Sequence, residues 1–246
     1  MKITKEAIEL AAKTIQPYIH RTPVLTNQSI NALTGIDFYF KCENFQKIGA
    51  FKIRGGMNAT LSLSPEQLKN GIATHSSGNH AQALAYAAKT LGIKAYIVMP
   101  SSSPQVKVDA VRGYGAEVII CEANQAAREA ALNKVVAQTG AAFIHPYDDY
   151  RVITGQATCV KELIEEITTL DAVITPVGGG GLLSGTCLGA AYFKPGLKVY
   201  GAEPEGAADA VLSIQSGKVE KAPFIKTIAD GLMTTLSEQT LSTVSY

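Results

Sequence analysis

Nothing in this sequence concentrates charge. Its 22 Lys and Arg against 21 Asp and Glu leave a formal net charge of +1, and the cations are spread along the chain, so no basic stripe is present to track a nucleic-acid backbone. No apolar run approaches the roughly 20 residues needed to cross a bilayer, and the opening MKITKEAIELAAKTI breaks its apolar period with charges. The four cysteines, Cys42, Cys121, Cys159 and Cys187, lie far apart with no CxxC pair. That spacing argues against a disulfide framework or a structural zinc and for reduced thiols. Fixed-period repeats and low-complexity linkers are also missing. These absences point to a cytoplasmic globular protein with neither nucleic acid nor membrane as partner. At 246 residues and 46% hydrophobic content, it can bury one large core or two modest ones.

What is present alternates. Short β-branched or aromatic runs recur at 36–43, 72–76, 95–100, 117–122, 142–146, 172–177 and 198–203, and amphipathic or Ala-rich stretches at 81–92, 122–140 and 157–170 separate several of them. Strand alternating with helix predicts an α/β protein with largely parallel sheets, and continuous apolar strands such as AYIVMP predict sheets covered on both faces. Two turn-rich stretches, SLSPEQLKNG (62–71) and HPYDDYRVITG (145–155), punctuate the chain. They place a small domain at 64–148 inside a discontinuous large domain formed by 1–63 and 149–246.

Glycines frame three candidate sites. In GAFKIRGG (49–56), Lys52 follows Phe51 and is bracketed by Gly49 and Gly55-Gly56, which permit close approach of backbone or ligand. A desolvated lysine loses its proton readily and can condense with an aldehyde; most lysines are simply solvated. In HSSGNHAQAL (75–84) a strand gives way to a polar cluster that opens a helix. Ser76, Ser77 and Asn79 fit helix caps, and equally a carboxylate or phosphate site with exchangeable hydroxyl protons; His75 and His80 fit packed structural residues as well. In AVITPVGGGGLLSG (172–185), Gly178, Gly179, Gly180 and Gly181 lie between strand and helix, where backbone N–H groups cradle phosphate. With Gly179, Gly181, Ser184 and Glu203 this loop also approaches a dinucleotide fingerprint, a reading that leaves Lys52 without a role. In AEPEGAADA (202–210), Glu203 and Asp209 fit a solvated helix start or, with a carbonyl, a site for a hard cation.

Together, KCENFQKIGAFKIRGG (41–56), SSGNHAQAL (76–84), GYGAEV (113–118), VGGGGLLSG (177–185), AEPEGAADA (202–210) and TIADG (227–231) resemble the fold-type II pyridoxal 5′-phosphate (PLP) enzymes. Within them the pattern is most similar to the serine racemase, serine/threonine dehydratase and hydroxyaspartate dehydratase group. The resemblance implies a two-lobed, tryptophan synthase β-like fold, Lys52 as the lysine joined to PLP and as mover of the substrate α-proton, and Phe51 beside the pyridine ring. It implies Asn79 at the ring hydroxyl, Gly178 to Gly181 at the phosphate, Ser76, Asn79 and His80 at the substrate carboxylate, and Ser77 as the proton carrier opposite Lys52. For Glu203, Asp209 and the carbonyl of Ala207 it implies Mg²⁺, or Ca²⁺ or Mn²⁺. The implied activity is deamination of small β-hydroxy amino acids such as L-threonine and L-serine, with serine racemisation, in a homodimer open to a nucleotide effector. Primary serine racemase, 3-hydroxyaspartate dehydratase and a non-catalytic PLP-binding remnant are the alternatives. Members of the group carry serine or, in the racemase-like branch, alanine where Ala50 stands. The family continues beyond the point reached by TIADGLMTTLSEQTLSTVSY, so the chain resembles a shortened member with part of its large-lobe apolar surface uncovered.

Overall fold

The computed structural model describes residues 3–245, so residues 1, 2 and 246 of the expected large domain lie outside it. The chain opens with α1 (Lys5–Ile15), capped by the Thr4 hydroxyl, then β1 (Val24–Leu25), α2 (Gln28–Thr34) and β2 (Phe40–Lys41). β1 and β2 pair antiparallel. The strand expected over 36–43 therefore shrinks to two residues, because the preceding residues pack around the end of α2, where the Phe38 N–H bonds the Asn31 side chain. α3 (Lys52–Leu61) and the short α4 (Pro65–Lys69), closed by a Ser64/Gln67 capping box, lead into the central sheet.

That sheet contains β3 (Ile72–His75), β4 (Ala95–Pro100), β5 (Glu117–Cys121) and β6 (Ala142–Phe143) in the order β5-β4-β3-β6, all parallel. Its connections are α5 (Asn79–Leu91), α6 (Gln105–Gly113) and α7 (Gln125–Thr139). Alternation along β3 and β4 explains their near-continuous apolar sequences. Ile72, Ile97 and Met99 face α5 and α6 through Leu84, Ala88, Val108 and Val111, while Ala73 and Val98 face α7 through Leu132 and Val135. Both faces are thus covered.

α8 (Tyr150–Glu166) begins well before the 157–170 stretch read as helical, since Asp149 caps it and HPYDDYRVITG is a turn only in its first half. β7 (Ala172–Pro176), α9 (Gly181–Phe193), β8 (Lys198–Ala202), α10 (Asp209–Ser216) and α11 (Glu238–Val244) complete the fold. β7 and β8 form a parallel pair. Unlike β3 and β4, this pair leaves one side open: Ile174 is 61% and Tyr200 52% exposed. The expectation of sheets covered on both faces therefore fails here, and apolar surface is uncovered.

Candidate active site

The carboxyl ends of β3, β6 and β7 open toward one cavity of about 250 Å³, the place where parallel α/β sheets bind ligands. Lys52, the first residue of α3, enters its wall from the opposite element. The structure brings every predicted cofactor and substrate residue to this cavity: Phe51 and Lys52; Ser76, Ser77, Asn79 and His80; and Gly178 to Gly181.

Two consecutive left-handed residues, Ile48 (φ 62°) and Gly49 (φ 68°), turn the chain into α3. For a β-branched residue such as Ile48 that conformation is strained. The Lys52 Nζ donates to the Pro146 carbonyl at 3.0 Å and lies 5.4 Å from the centre of the Phe51 ring. No carboxylate is within ion-pair distance of it among the described residues. Burial pulls its pKa from the usual lysine value down to about 8, so the amine is still largely charged at about pH 7 but reaches its neutral, nucleophilic form far more readily than a solvated lysine. Gly55 and Gly56 serve another purpose than ligand approach. A Cβ on Gly55 would sit 2.7 Å from the Val152 carbonyl and one on Gly56 3.1 Å from the Ala83 Cβ, so these glycines let α8 and α5 close onto α3.

At the start of α5, no side chain caps the helix at Gly78. The Ser76 hydroxyl accepts from the Gly78 N–H, and the first helical bond runs from Gln82 N to Gly78 O. The N–H groups of Asn79, His80 and Ala81 are thereby free for an anion. Ser77 and Asn79 are exposed to the cavity, and among the described residues their side chains have no hydrogen-bond partner. His80 is 2% exposed; its Nε2 lies 3.4 Å from the Ile144 carbonyl and its Nδ1 is unpartnered. Burial and the nearby Lys52 charge hold it well below the ordinary histidine pKa, so it is neutral.

The glycine loop has the same logic at α9. Gly180 is left-handed (φ 83°), no side chain caps the helix, and Ser184 N makes the first bond, to Gly180 O. Side chains are excluded from the loop sterically: a Cβ on Gly179 would stand 2.4 Å from the Tyr147 ring, and one on Gly180 2.8 Å from the Thr240 Cβ. Lys52, Lys107 and Arg128 reach the cavity against one carboxylate there, Asp230, already paired with Lys107. Two uncapped helix starts and surplus positive charge suit a polyanionic aldehyde and an amino-acid carboxylate.

The sequence reasoning passes over Lys107, Arg128, His145, Pro146, Tyr147 and Asp230, all of which line the cavity. The HPYDDY segment carries a usable signal, since it follows the carboxyl end of a parallel strand. The predicted cation residues are arranged differently. The two Glu203 carboxylate oxygens accept from the N–H groups of Ala210 and Val211, each at 2.9 Å, and so hold the first turn of α10. Asp209 accepts from Leu236 N at 3.2 Å, and burial followed by the Glu203 charge raises its pKa. Among the described residues no cluster of three His, Cys, Asp or Glu side chains forms. The lone pairs these carboxylates keep free of backbone N–H groups are oxygen donors of the type a hard cation takes.

A family model described as pyridoxal-phosphate dependent enzyme matches residues 15–245. The chain belongs to this PLP-dependent enzyme family. It is 51% identical to a serine racemase of Dictyostelium discoideum over 97% of this chain and 74% of that protein. It is 49% identical to a beta-hydroxyaspartate dehydratase of Paracoccus denitrificans over 96% of this chain and 75% of that one. Among solved structures, maize serine racemase superposes with a TM-score of 0.96 at 44% identity, covering 98% of this chain and 73% of that one. The fold-type II architecture implied by the motifs is therefore the fold of this chain, and PLP is the cofactor of its family.

Proposed function

We propose that this chain, with PLP bound, deaminates small β-hydroxy amino acids such as L-serine and L-threonine to 2-oxo acids and ammonia, and also racemises serine. The observation that carries the reading is one cavity holding the depressed, carboxylate-free amine of Lys52 together with the unpartnered hydroxyl of Ser77. Bound PLP supplies the electron sink that stabilises negative charge at the substrate α-carbon. Gly178 to Gly181 and the N-terminus of α9 would hold its phosphate, Asn79 its ring hydroxyl, and Phe51 would flank the ring. The freed N–H groups of α5, with Ser76, Ser77 and Asn79, would grip the substrate carboxylate; His80, neutral and turned toward Ile144, contributes its backbone N–H there. Lys52 takes the α-proton at its Nζ. Loss of the β-hydroxyl as water, followed by hydrolysis, gives 2-oxo acid and ammonia. Delivery of a proton from the Ser77 hydroxyl to the α-carbon instead gives the other enantiomer. The relatives named serine racemase and beta-hydroxyaspartate dehydratase support both outcomes and extend the substrate class to 3-hydroxyaspartate.

The deciding assay adds L-serine, L-threonine and 3-hydroxyaspartate separately to PLP-loaded protein and measures 2-oxo acid, with D-serine resolved by chiral chromatography. Absence of product from all three refutes the proposal. Ser77→Ala is expected to lower racemisation about 10²-fold while elimination falls less than about tenfold; equal losses refute the division of labour. We assign Mg²⁺ or Ca²⁺ to Glu203, Asp209 and the Ala207 carbonyl. A higher melting temperature with either ion, abolished in Glu203→Gln, is the expected result, and no shift with either ion refutes it.

A further inference from the structure

The turn after β6 has no part in the chemistry above, yet it touches both Lys52 and the glycine loop. The His145 Nδ1 accepts two backbone N–H groups, from Tyr147 at 3.3 Å and Asp148 at 2.8 Å. A ring nitrogen that accepts two donors carries no hydrogen, so the neutral ring bears its proton on Nε2. Closing the turn in this way places three groups. The Pro146 carbonyl faces the Lys52 Nζ at 3.0 Å. The Tyr147 side chain lies against the glycine loop, where a Cβ on Gly181 would meet its Cβ at 3.0 Å. The Asp148 carboxylate accepts from Ser237, the residue that caps α11, at 2.8 Å.

We propose that His145 is a positioning residue for Lys52: through the two N–H groups its Nδ1 accepts, it holds the 145–148 turn so that the Pro146 carbonyl receives the Lys52 amine and Tyr147 backs the glycine loop. The inference rests on Lys52 being the cofactor lysine. Pro146 is then the resting acceptor of the Lys52 nitrogen whenever that nitrogen is not bonded to carbon, keeping it aimed for the next condensation. The environment favours the accepting form. Burial, chiefly, pushes His145 down to about 4, with His75 and Lys52 adding to the effect and Asp148 and Asp149 opposing it. Ring packing alone is a competing role, because His145 meets Tyr147 edge-on at 4.7 Å and His75 at 5.9 Å. Phenylalanine would preserve that packing without an acceptor, and asparagine would restore an acceptor without the ring.

The test uses the full chain, first free of cofactor. Nitrogen-15 spectra of the imidazoles are expected to show His145 protonated at Nε2 and bare at Nδ1. PLP is then added and loading is followed by visible absorbance, with borohydride fixing the adduct on Lys52. Loading of His145→Phe is expected to be about tenfold slower per folded molecule, the scale set by one net hydrogen bond, and His145→Asn to recover to within about twofold of the unsubstituted rate. A role in packing alone predicts lower melting temperatures in both variants with unchanged loading rates, and that result overturns the proposal. A proton on Nδ1 overturns it too. Should His145→Phe fail to fold, the tautomer and His145→Asn decide, and slow loading of His145→Asn counts against it. No Lys52 adduct in the unsubstituted protein defeats the cofactor reading itself, and this inference with it.

Discussion

Lys52 and Arg54 stand two residues apart in the first turn of one helix, and their surroundings could hardly differ more. Arg54 is fully buried, yet it is neutralised on both sides: it gives two hydrogen bonds to Glu43 (2.8 and 2.9 Å) and two to Glu162 (both 2.8 Å), with Thr158 at 3.2 Å. Lys41 pairs with Glu162 at 2.9 Å and Thr22 donates to Glu43 at 2.6 Å, so the carboxylates are themselves satisfied. Burial opposes the charge, but the two carboxylates prevail and hold the guanidinium more firmly protonated than usual. Lys52 has burial without the carboxylates, and its pKa falls to about 8. The comparison teaches that a buried cation is structural when its partners are charged and chemical when its partner is a neutral carbonyl.

The largest effect should come from the chemical side. Lys52→Ala is expected to reduce turnover at least about 10³-fold, since proton transfer and cofactor attachment are both lost; measurable 2-oxo acid formation at a normal rate would break the contrast. On the structural side, Arg54→Ala leaves two part-buried carboxylates at the start of α3 with Lys41 alone to neutralise them. A loss of about 3–5 kcal/mol is expected in urea unfolding, and a loss under about 1 kcal/mol would show that the cluster is relaxed by water.

Removing the unpaired cation should do the reverse. Lys52→Met is expected to stabilise the cofactor-free protein by on the order of 2–3 kcal/mol at pH 7, from the fall of the lysine pKa to about 8. The sign follows from proton binding. Below about pH 8 both folded and unfolded lysines are charged, and the folded state carries the whole burial penalty. Between about 8 and the usual 10.5 only the unfolded state keeps the proton, so stability of the unsubstituted protein rises and the advantage of Lys52→Met disappears. Denaturant titrations at pH 7 and pH 10 would show whether the gap closes. The smallest expected change is for Glu162→Gln, about 1–2 kcal/mol of destabilisation, because Glu43 and the remaining amide oxygen still engage Arg54. Glu162 lies below the usual carboxyl range, with Arg54 and Lys41 outweighing its burial. A loss equal to that of Arg54→Ala would mean that Glu162 alone neutralises the guanidinium.

Much of this contrast is illegible from neighbouring residues. GAFKIRGG displays Lys52, its aromatic neighbour and its glycines, and the local reading of a reactive lysine stands on them. The same eight letters say nothing of the carboxylates that meet Arg54, and they leave open whether Gly55-Gly56 admit backbone or ligand; the structure shows that they admit α8 and α5. The sheets divide in the same way. AYIVMP and AVITP are both apolar strand sequences, and both form parallel strands where expected, but β4 is covered by helices while β7 exposes Ile174. Apolar alternation reports a strand's capacity to be buried and is silent about what covers it.

The sequence by itself determined the alternation of strand and helix, the glycine loop ahead of α9 and the family to which the chain belongs, because periodicity, backbone freedom and motif order are written in near neighbours. Tertiary structure alone decided the electrostatic character of the two cations. Lys52 meets a carbonyl 94 residues away and Arg54 a carboxylate 108 residues away, and a group's charge state depends on the dielectric and partners that such distant chain segments bring to it.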